Sequence, residues 1–142
     1  MSGSNTAVTA QIRVELLTVG EDGDGDGIAV QSSWVHDAKD PLAVHIDFLL
    51  PFGRRQRWSF ARTLLAEGLD APAGEGDVLF HPDADAAHVR MLLRGTDGAA
   101  VFRTRSGDLR AFLRRTYARV PQGAEQCGEA LDRWLLGVLD RA

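Results

Sequence analysis

Two histidines and two aspartates lie close together in the middle of the chain and could hold a metal ion. His81, Asp83, Asp85 and His88 flank a connection between two predicted strands. Imidazole nitrogens and carboxylate oxygens are both zinc ligands in proteins. Their spacing matches no recognised ligand motif, and no residue nearby is identifiable as a partner that would orient the histidines. The pattern favours a polar hairpin tip, and we predict no metal and no other cofactor.

An acidic, glycine-rich segment offers a second candidate cation site. Asp22, Asp24 and Asp26 alternate with glycines up to Gly27, as at the start of a calcium loop. Such a loop needs flanking helices and a bidentate glutamate at its twelfth position, where this chain has Ser33. The segment is therefore predicted to be a solvated hairpin loop.

Nucleophilic catalysis finds little support in the sequence. The chain has no Gly-x-Ser-x-Gly motif, which would mark a strained nucleophile turn. Cys127 is the only cysteine and lies at the predicted start of the last helix. A helix N-terminus can activate a thiol, but a half-buried structural cysteine is the commoner arrangement. We predict that the protein is not an enzyme.

Arginines have the clearest binding potential. Lys39 is the only lysine among 16 basic residues, and the arginines concentrate at 54–62 and 103–119. Arginine favours planar, bidentate contacts with carboxylates and phosphates. The residues that we predict to bind a partner lie on one strand, one helix and the turn after it: Arg55, Arg57, Arg114, Arg115, Gln122, Gly123 and Glu125.

The same arginines leave a second interpretation open. With Trp34, Trp58 or Phe102 nearby, they could form a groove that stacks the bases and contacts the phosphates of a single-stranded nucleic acid. The net charge of -4 opposes this interpretation, because it provides no global attraction to nucleic acid or to an anionic membrane.

Length and composition are typical of a globular chain. The sequence has 142 residues, of which 44% are hydrophobic and 25% charged, and this suits one domain with its own core. We expect residues 1–7 to be a flexible tail and residues 8–142 a single domain. The single cysteine and the lack of an apolar spanning run or a signal-peptide pattern predict a cytoplasmic protein with no transmembrane segment.

Alternation of apolar and polar residues predicts a meander of four strands in the first 60 residues. In the fourth strand, Gln56, Trp58 and Phe60 are expected to point inward. A short helix over 61–67 follows, and Gly68 is expected to end it in the left-handed conformation.

The second half of the chain repeats strands and then helices. Residues 72–76 are predicted to form a loop, and strands are predicted near 78–81, 88–94 and 99–104. Ser106 is expected to cap a helix over 107–119, and a last amphipathic helix spans roughly 126–141. The predicted fold is α+β in the order ββββ-α-βββ-αα, with antiparallel sheets packed around the C-terminal helices.

Five short motifs follow one another along about 100 residues. They are Asp40-Pro41-x-Ala43-Val44, Trp58-x-Phe60-Ala61-Arg62-x-x-Leu65, Gly68-Leu69, Pro72-x-Gly74-x-Gly76-Asp77-Val78 and Val120-Pro121-x-Gly123-x-Glu125. In these motifs the chain resembles the SsgA-like proteins, a family of sporulation and cell-division regulators of actinomycetes.

Physical chemistry gives several motif residues a structural role. Asp40 and Pro41 are expected to turn the chain, Gly74 and Gly76 to bend a loop, and Gly123 to adopt a positive φ. Pro121 would end the preceding helix. Arg62 opposes the dipole at the start of its helix, which predicts a buried or interface pairing with an acid such as Asp77.

The resemblance implies a function that the residues alone do not. SsgA-like proteins are thought to act without catalysis, localising division machinery during sporulation-specific septation, and one branch recruits the tubulin-like GTPase FtsZ. The resemblance also implies a Whirly-like fold, a homotrimer and a place at division septa. Because Whirly relatives bind single-stranded nucleic acid, a nucleic-acid module remains the alternative to an adaptor.

Overall fold

The computed structural model describes residues 7–17, 27–96 and 98–123. The strands are β1 (Ala7–Leu17), β2 (Ile28–Asp37), β3 (Ala43–Leu49), β4 (Arg55–Ala61), β5 (Ala73–Glu75), β6 (Val78–Pro82), β7 (His88–Gly95) and β8 (Gly98–Arg105). The helices are α1 (Arg62–Gly68) and α2 (Ser106–Arg119), and a short 3-10 turn occupies Pro51–Gly53.

All eight strands form one antiparallel sheet in the order β4-β3-β2-β1-β8-β7-β6-β5. Two meanders, β1–β4 and β5–β8, are joined where Glu15–Leu17 of β1 pairs with Val101–Arg103 of β8. The α+β class and the antiparallel arrangement that the sequence predicts are confirmed. The last predicted helix, like Cys127, lies outside the described residues.

The sheet is strongly curved. Phe48 of β3 stacks on Phe102 of β8 at 4.4 Å between ring centroids, although two strands separate β3 from β8. Phe60 of β4 likewise meets Phe80 of β6, at 5.2 Å. The inner face of the sheet therefore encloses one apolar core.

The predicted loop at 72–76 is wrong over three residues, because Ala73–Glu75 pairs with Val78–Phe80 as β5. This segment has no apolar alternation and too few residues to form a strand alone. It becomes a strand only because β6 supplies hydrogen-bonding partners, and Gly76 turns the hairpin with a φ of 61°. Gly74 does not bend a loop but lies within β5, under the side chain of Leu79.

The inward face of β4 is only partly as predicted. Phe60 is buried and Trp58 is half-buried, but Gln56 is exposed. The prediction for Gln56 is wrong because β4 is an edge strand whose first residues lie at the rim of the sheet, where a side chain on the inner side still meets solvent.

Helix α1 ends for a different reason from the one predicted. Leu69, its C-cap, has right-handed φ and ψ, and Gly68 is not in the left-handed region. Gly68 is required by packing, because a Cβ atom at this position would lie 2.3 Å from Cβ of Phe80. The helix therefore contacts β6 directly.

Helix α2 begins one residue earlier than predicted, and Ser106 does not cap it. The N-cap is Arg105, without a side-chain cap, while Ser106 is buried and its N–H donates to the Ala87 carbonyl. Phe112 of α2 packs edge-to-face on the fully buried Trp34 at 6.1 Å. Helix α2 therefore covers the inner face of the sheet.

Candidate functional site

The strand β4 presents Arg55 and Arg57 on the outer face of the sheet, where the period of two places them. Arg57 forms a bidentate ion pair with Asp47 on the neighbouring strand, with Nε to Oδ1 at 2.7 Å and Nη2 to Oδ2 at 2.9 Å. The hydrogen bond from Arg57 lowers the pKa of Asp47. Arg57 is therefore already paired, whereas Arg55 is exposed without an ion-pair partner in the described part of the chain.

The arginines of α2 face away from the core as predicted, because the apolar stripe of the helix faces the sheet. Arg115 donates from Nη1 to the Thr9 carbonyl at 3.0 Å. Arg110 pairs with Asp70 at 3.1 Å. Arg114 is exposed and makes no hydrogen bond or ion pair with any residue that the structure describes.

The four predicted partner-binding arginines do not form one continuous patch. Arg55 and Arg57 lie on the outer face of the sheet, whereas α2 with Arg114 and Arg115 packs on the inner face. The sequence places all four outward correctly, but only the sheet topology shows that they point to different sides of the molecule.

The turn after α2 is exposed at Pro121, Gln122 and Gly123. Gly123 has a φ of 88°, which confirms the predicted positive φ, and Pro121 follows the last helical turn. Glu125 lies outside the described residues.

Arg62 is the most unusual side chain in the structure, because only 1% of it is exposed. Its Nη1 donates to the carbonyl oxygens of Thr116 and Val120 at 3.2 and 2.8 Å. Its guanidinium lies 4.1 Å from the ring centroid of Tyr117. Burial of Arg62 is confirmed, but pairing with Asp77 is wrong, since Asp77 is exposed.

The position of Arg62 explains why a cation is tolerated at a helix N-terminus. The side chain leaves its own helix and reaches the C-terminal carbonyls of α2, where the dipole favours positive charge. Arg62 thus links the start of α1 to the end of α2 and holds the turn at 121–123 in place.

His36 lies beside this network and is fully buried. Its Nε2 is 2.8 Å from the Pro41 carbonyl. Because a carbonyl oxygen only accepts hydrogen bonds, Nε2 carries the proton. The other ring nitrogen, Nδ1, is buried and has no hydrogen-bond partner among the residues that the structure describes. Burial lowers the pKa of His36 below 6.5, and the charge of Arg62 lowers it further, although the Pro41 contact opposes this shift.

We expect acidification to destabilise the protein in part through His36. Between the lowered folded pKa and the unfolded value near 6.5, the unfolded chain binds a proton that the folded chain does not. Stability therefore falls as the pH drops below about 6.5, by at most about 1.4 kcal/mol per pH unit. The slope should flatten in His36→Gln, measured by urea unfolding from pH 7 to pH 5. An unchanged slope would show that other groups carry the dependence.

Of the two candidate cation sites, the structure describes the one at residues 81–88, where the side chains make contacts within a turn and with a neighbouring strand. Ligand atoms of Asp83, Asp85 and His88 lie within 4.8 Å of one another, and His81 is not part of this group. Asp85 accepts from the Ala87 N–H at 2.9 Å, which lowers its pKa, and contacts His88 at 3.3 Å. Asp83 pairs with Arg90. Of the acidic segment, Asp22, Asp24 and Asp26 lie outside the described residues.

Two of the three aromatic residues proposed for base stacking are inaccessible. Trp34 is 0% and Phe102 is 3% exposed, so that neither can stack on a base. Trp58 alone is half-buried. Phe52, which is fully exposed, was not among the predicted site residues, although the turn pattern Pro51-Phe52-Gly53 places it at the tip of a hairpin.

The fold and the surface together define an α+β domain whose exposed arginines offer contacts to acidic groups. None of the helices among the described residues combines the length and the apolar character needed to cross a membrane. The family described as Streptomyces sporulation and cell division protein, SsgA, matches residues 30–125.

Relatives and solved structures agree with this match. The sporulation-specific cell division protein SsgB of Streptomyces coelicolor is 34% identical over 137 residues, which cover 95% of this chain and 97% of the relative. A solved structure of SsgB, in which mutations correlate with longitudinal cell division during sporulation of S. coelicolor, has a TM-score of 0.78 at 34% identity, covering 89% of this chain and 98% of that one. The SsgA-like sporulation-specific cell division protein of Thermobifida fusca has a TM-score of 0.80 at 29% identity, covering 96% and 98%.

The chain therefore belongs to the SsgA family of sporulation and cell-division proteins. Relatives with this architecture are named for sporulation-specific cell division, and this supports the same broad role for this protein.

Proposed function

We propose that this protein is a non-catalytic adaptor that helps to localise the septum machinery during sporulation-specific cell division, by binding FtsZ or a related septum protein. The proposal also places it in the cytoplasm, at division septa. Family membership is the observation that carries this proposal, because the SsgB relatives are named for that process. The surface supplies the contacts that an adaptor needs.

The proposed contacts are Arg55 and Arg114. Both are exposed, and neither is paired with an acid among the described residues. An arginine that is free in the monomer loses no internal partner when it binds a carboxylate of another protein. Arg57 and Arg115 have partners already, and binding through them would exchange one contact for another.

We further propose that the adaptor is a homotrimer, as the family resemblance implies. The outer face of β6–β8 supports self-association. Leu79, Leu92 and Val101 are only half-buried there, around a recess of about 380 Å³. Covering such aliphatic side chains with a second copy would gain about 25 cal/mol for each Å² removed from water.

We expect the purified protein to co-sediment with FtsZ polymers of the same organism in a saturable manner. Sedimentation equilibrium of the protein alone gives its oligomeric state, which is needed to calculate the stoichiometry. Arg55→Glu and Arg114→Glu should each raise the half-saturating concentration about tenfold, which corresponds to about 1.4 kcal/mol, because each places a negative charge against an acidic partner. Arg105→Glu is the matched control, since Arg105 is exposed but outside the proposed contacts.

The results separate the parts of the proposal. If both variants pellet like the wild type, the proposed contacts are wrong while FtsZ stands as the partner. If the wild-type protein does not pellet at all, FtsZ is wrong as the partner, and another septum protein takes its place.

Single-stranded nucleic acid remains the alternative ligand, because Arg54 and Arg55 border the half-buried Trp58. A nucleic-acid module binds oligonucleotides with an affinity that falls steeply with salt concentration, because counterions are released on binding. The burial of Trp34 and Phe102 leaves few aromatic residues for stacking.

A further inference from the structure

The tip of the β3–β4 hairpin is an exposed aromatic residue in a strained backbone conformation. Phe52 is 100% exposed and has a φ of 66°, in the left-handed region that non-glycine residues rarely adopt. Leu49 beside it is 49% exposed. Strain of this kind concentrates at ligand-binding and functional sites, and neither side chain contributes to the core.

A cleft of about 460 Å³ opens next to this tip, between the first residues of β4 and the β7–β8 hairpin. Leu93 and Phe102 are buried at its base, and Trp58 lines one side. Gly95 and Gly98 line the other side and carry no side chains. The cleft therefore exposes part of an indole ring in a space large enough for an aliphatic or aromatic side chain.

The rim of the cleft is cationic. Arg54 and Arg55 line it and are exposed without an ion pair in the part of the chain that the structure describes. Several other arginines each bind an acid of the same chain, namely Arg57, Arg90, Arg103 and Arg110. In a protein with a net charge of -4, two adjacent arginines without an ion pair among the described residues form a local positive site that attracts carboxylates.

One edge of the β4 backbone beside the cleft also has no partner strand among the described residues. β4 is the terminal strand of the sheet, and among the described residues it pairs only with β3. An edge strand offers amide and carbonyl groups to an extended segment of another chain. Charged residues protect such an edge from unspecific pairing, and the arginines restrict which segment can approach.

We propose that this cleft binds an extended, acidic segment of a partner protein. The segment lies along the free edge of β4, with one apolar side chain against Trp58 and carboxylates on Arg54 and Arg55. Phe52 contacts the segment from the hairpin tip. This proposal shares one assumption with the proposed function, namely that the partner is a protein.

The chemistry of the cleft favours this ligand over a nucleic acid or a membrane. A nucleic-acid track needs several cations in a row and several exposed rings, whereas this cleft has two arginines and one indole. A membrane-inserting tip needs a larger continuous apolar surface than Leu49 and Phe52 offer. One apolar side chain flanked by carboxylates matches both the space and the charge.

The test measures binding of a synthetic peptide by fluorescence anisotropy. The probe is fluorescein-labelled acetyl-EELEEF-amide, and acetyl-QQLQQF-amide with the same label is the neutral control. We expect saturable binding of the acidic peptide and at least about tenfold weaker binding of the neutral one. The double variant Arg54→Glu/Arg55→Glu and the single variant Phe52→Ser should each weaken binding of the acidic peptide, the double variant by at least about tenfold.

Arg105→Glu serves as the matched control and should bind like the wild type. Arg105 lies six residues along β8 from Ala99, which is about 20 Å at strand spacing. Thermal unfolding of each variant shows whether the fold is retained, which we expect because the substituted side chains are exposed.

The outcomes are distinct. Absence of saturable binding, or wild-type binding by a folded double variant, overturns the proposal. If an oligo-dT 15-mer or phosphatidylglycerol vesicles instead bind more tightly than the acidic peptide and lose this binding in the same variants, that result also overturns the proposal, in favour of nucleic acid or membrane. If the peptide does not bind but the protein co-sediments with FtsZ, only the proposal for the cleft is rejected. If the peptide binds but the protein does not co-sediment, only FtsZ is rejected as the partner.

Discussion

Replacement of Arg62 by methionine should lower the free energy of unfolding by about 3 kcal/mol. Methionine retains an apolar stem but donates no hydrogen bond, so the Val120 carbonyl loses the donor now at 2.8 Å. The Thr116 carbonyl keeps the Val120 N–H. An unsatisfied buried acceptor costs about 1–3 kcal/mol, and we expect the lower end of this range because the hydrogen bond to Val120 is part-buried. The desolvated cation–π contact with Tyr117 contributes about 2 kcal/mol.

Urea unfolding of Arg62→Met and Arg62→Lys would check this expectation. The lysine variant keeps the charge and one hydrogen bond but lacks the planar fork and the stacking of arginine, so that it should lose about half as much stability. A loss below about 0.5 kcal/mol in Arg62→Met, a value typical of surface substitutions, would mean that the link between α1 and α2 contributes little. A folded Arg62→Met protein should also show a more mobile 121–123 turn by hydrogen exchange.

Replacement of Gly68 by alanine should destabilise the protein by about 2 kcal/mol, although alanine is the better helix former. The new Cβ would lie 2.3 Å from Cβ and 2.9 Å from Cγ of Phe80. These atoms cannot be displaced without moving β6 or α1. Overpacking of a core typically costs about 1–3 kcal/mol, and this outweighs the helix-propensity gain of up to about 1 kcal/mol.

Gly107→Ala is the matched control for Gly68→Ala. Gly107 lies in the first turn of α2, and among the described residues no atom outside its own helix and chain neighbours lies within 4 Å of the position of a Cβ. The same substitution should therefore be neutral or stabilising by up to about 1 kcal/mol. Thermal and urea unfolding should show a loss of stability in Gly68→Ala but not in Gly107→Ala, and equal losses would contradict the packing explanation.

The outward arginines were predictable from the sequence, but their grouping was not. The period of β4 and the stripe of α2 place Arg55, Arg57, Arg114 and Arg115 in solvent, because the opposite faces are apolar. Whether the arginine-bearing faces of β4 and α2 point to the same side of the molecule depends on how the sheet curves. Similarly, the pairing of Arg57 with Asp47 depends on the β3–β4 register, which a hairpin with a 3-10 turn does not reveal in advance.

Local conformation was predictable where backbone geometry allows few alternatives. Gly123 has the positive φ predicted for it, Gly76 turns the chain as predicted, and the strands of the first meander occur where apolar residues alternate. The predictions for Gly68 and Ser106 failed, because both residues have a local role that the sequence favours and a packing role that only neighbours in space can impose.

The sequence by itself determined the α+β class, seven of the eight strands that the structure describes and the outward faces of β4 and α2, and five motifs carried the resemblance to the family. The class, the strands and the outward faces follow from periodicity and residue type, which act over a few positions of the chain. Only the tertiary structure decided the partner of Arg62, the contact that requires Gly68, and the cleft beside Phe52 and Trp58. Each of these joins segments that are distant in the chain, and the curvature of one eight-stranded sheet brings them together.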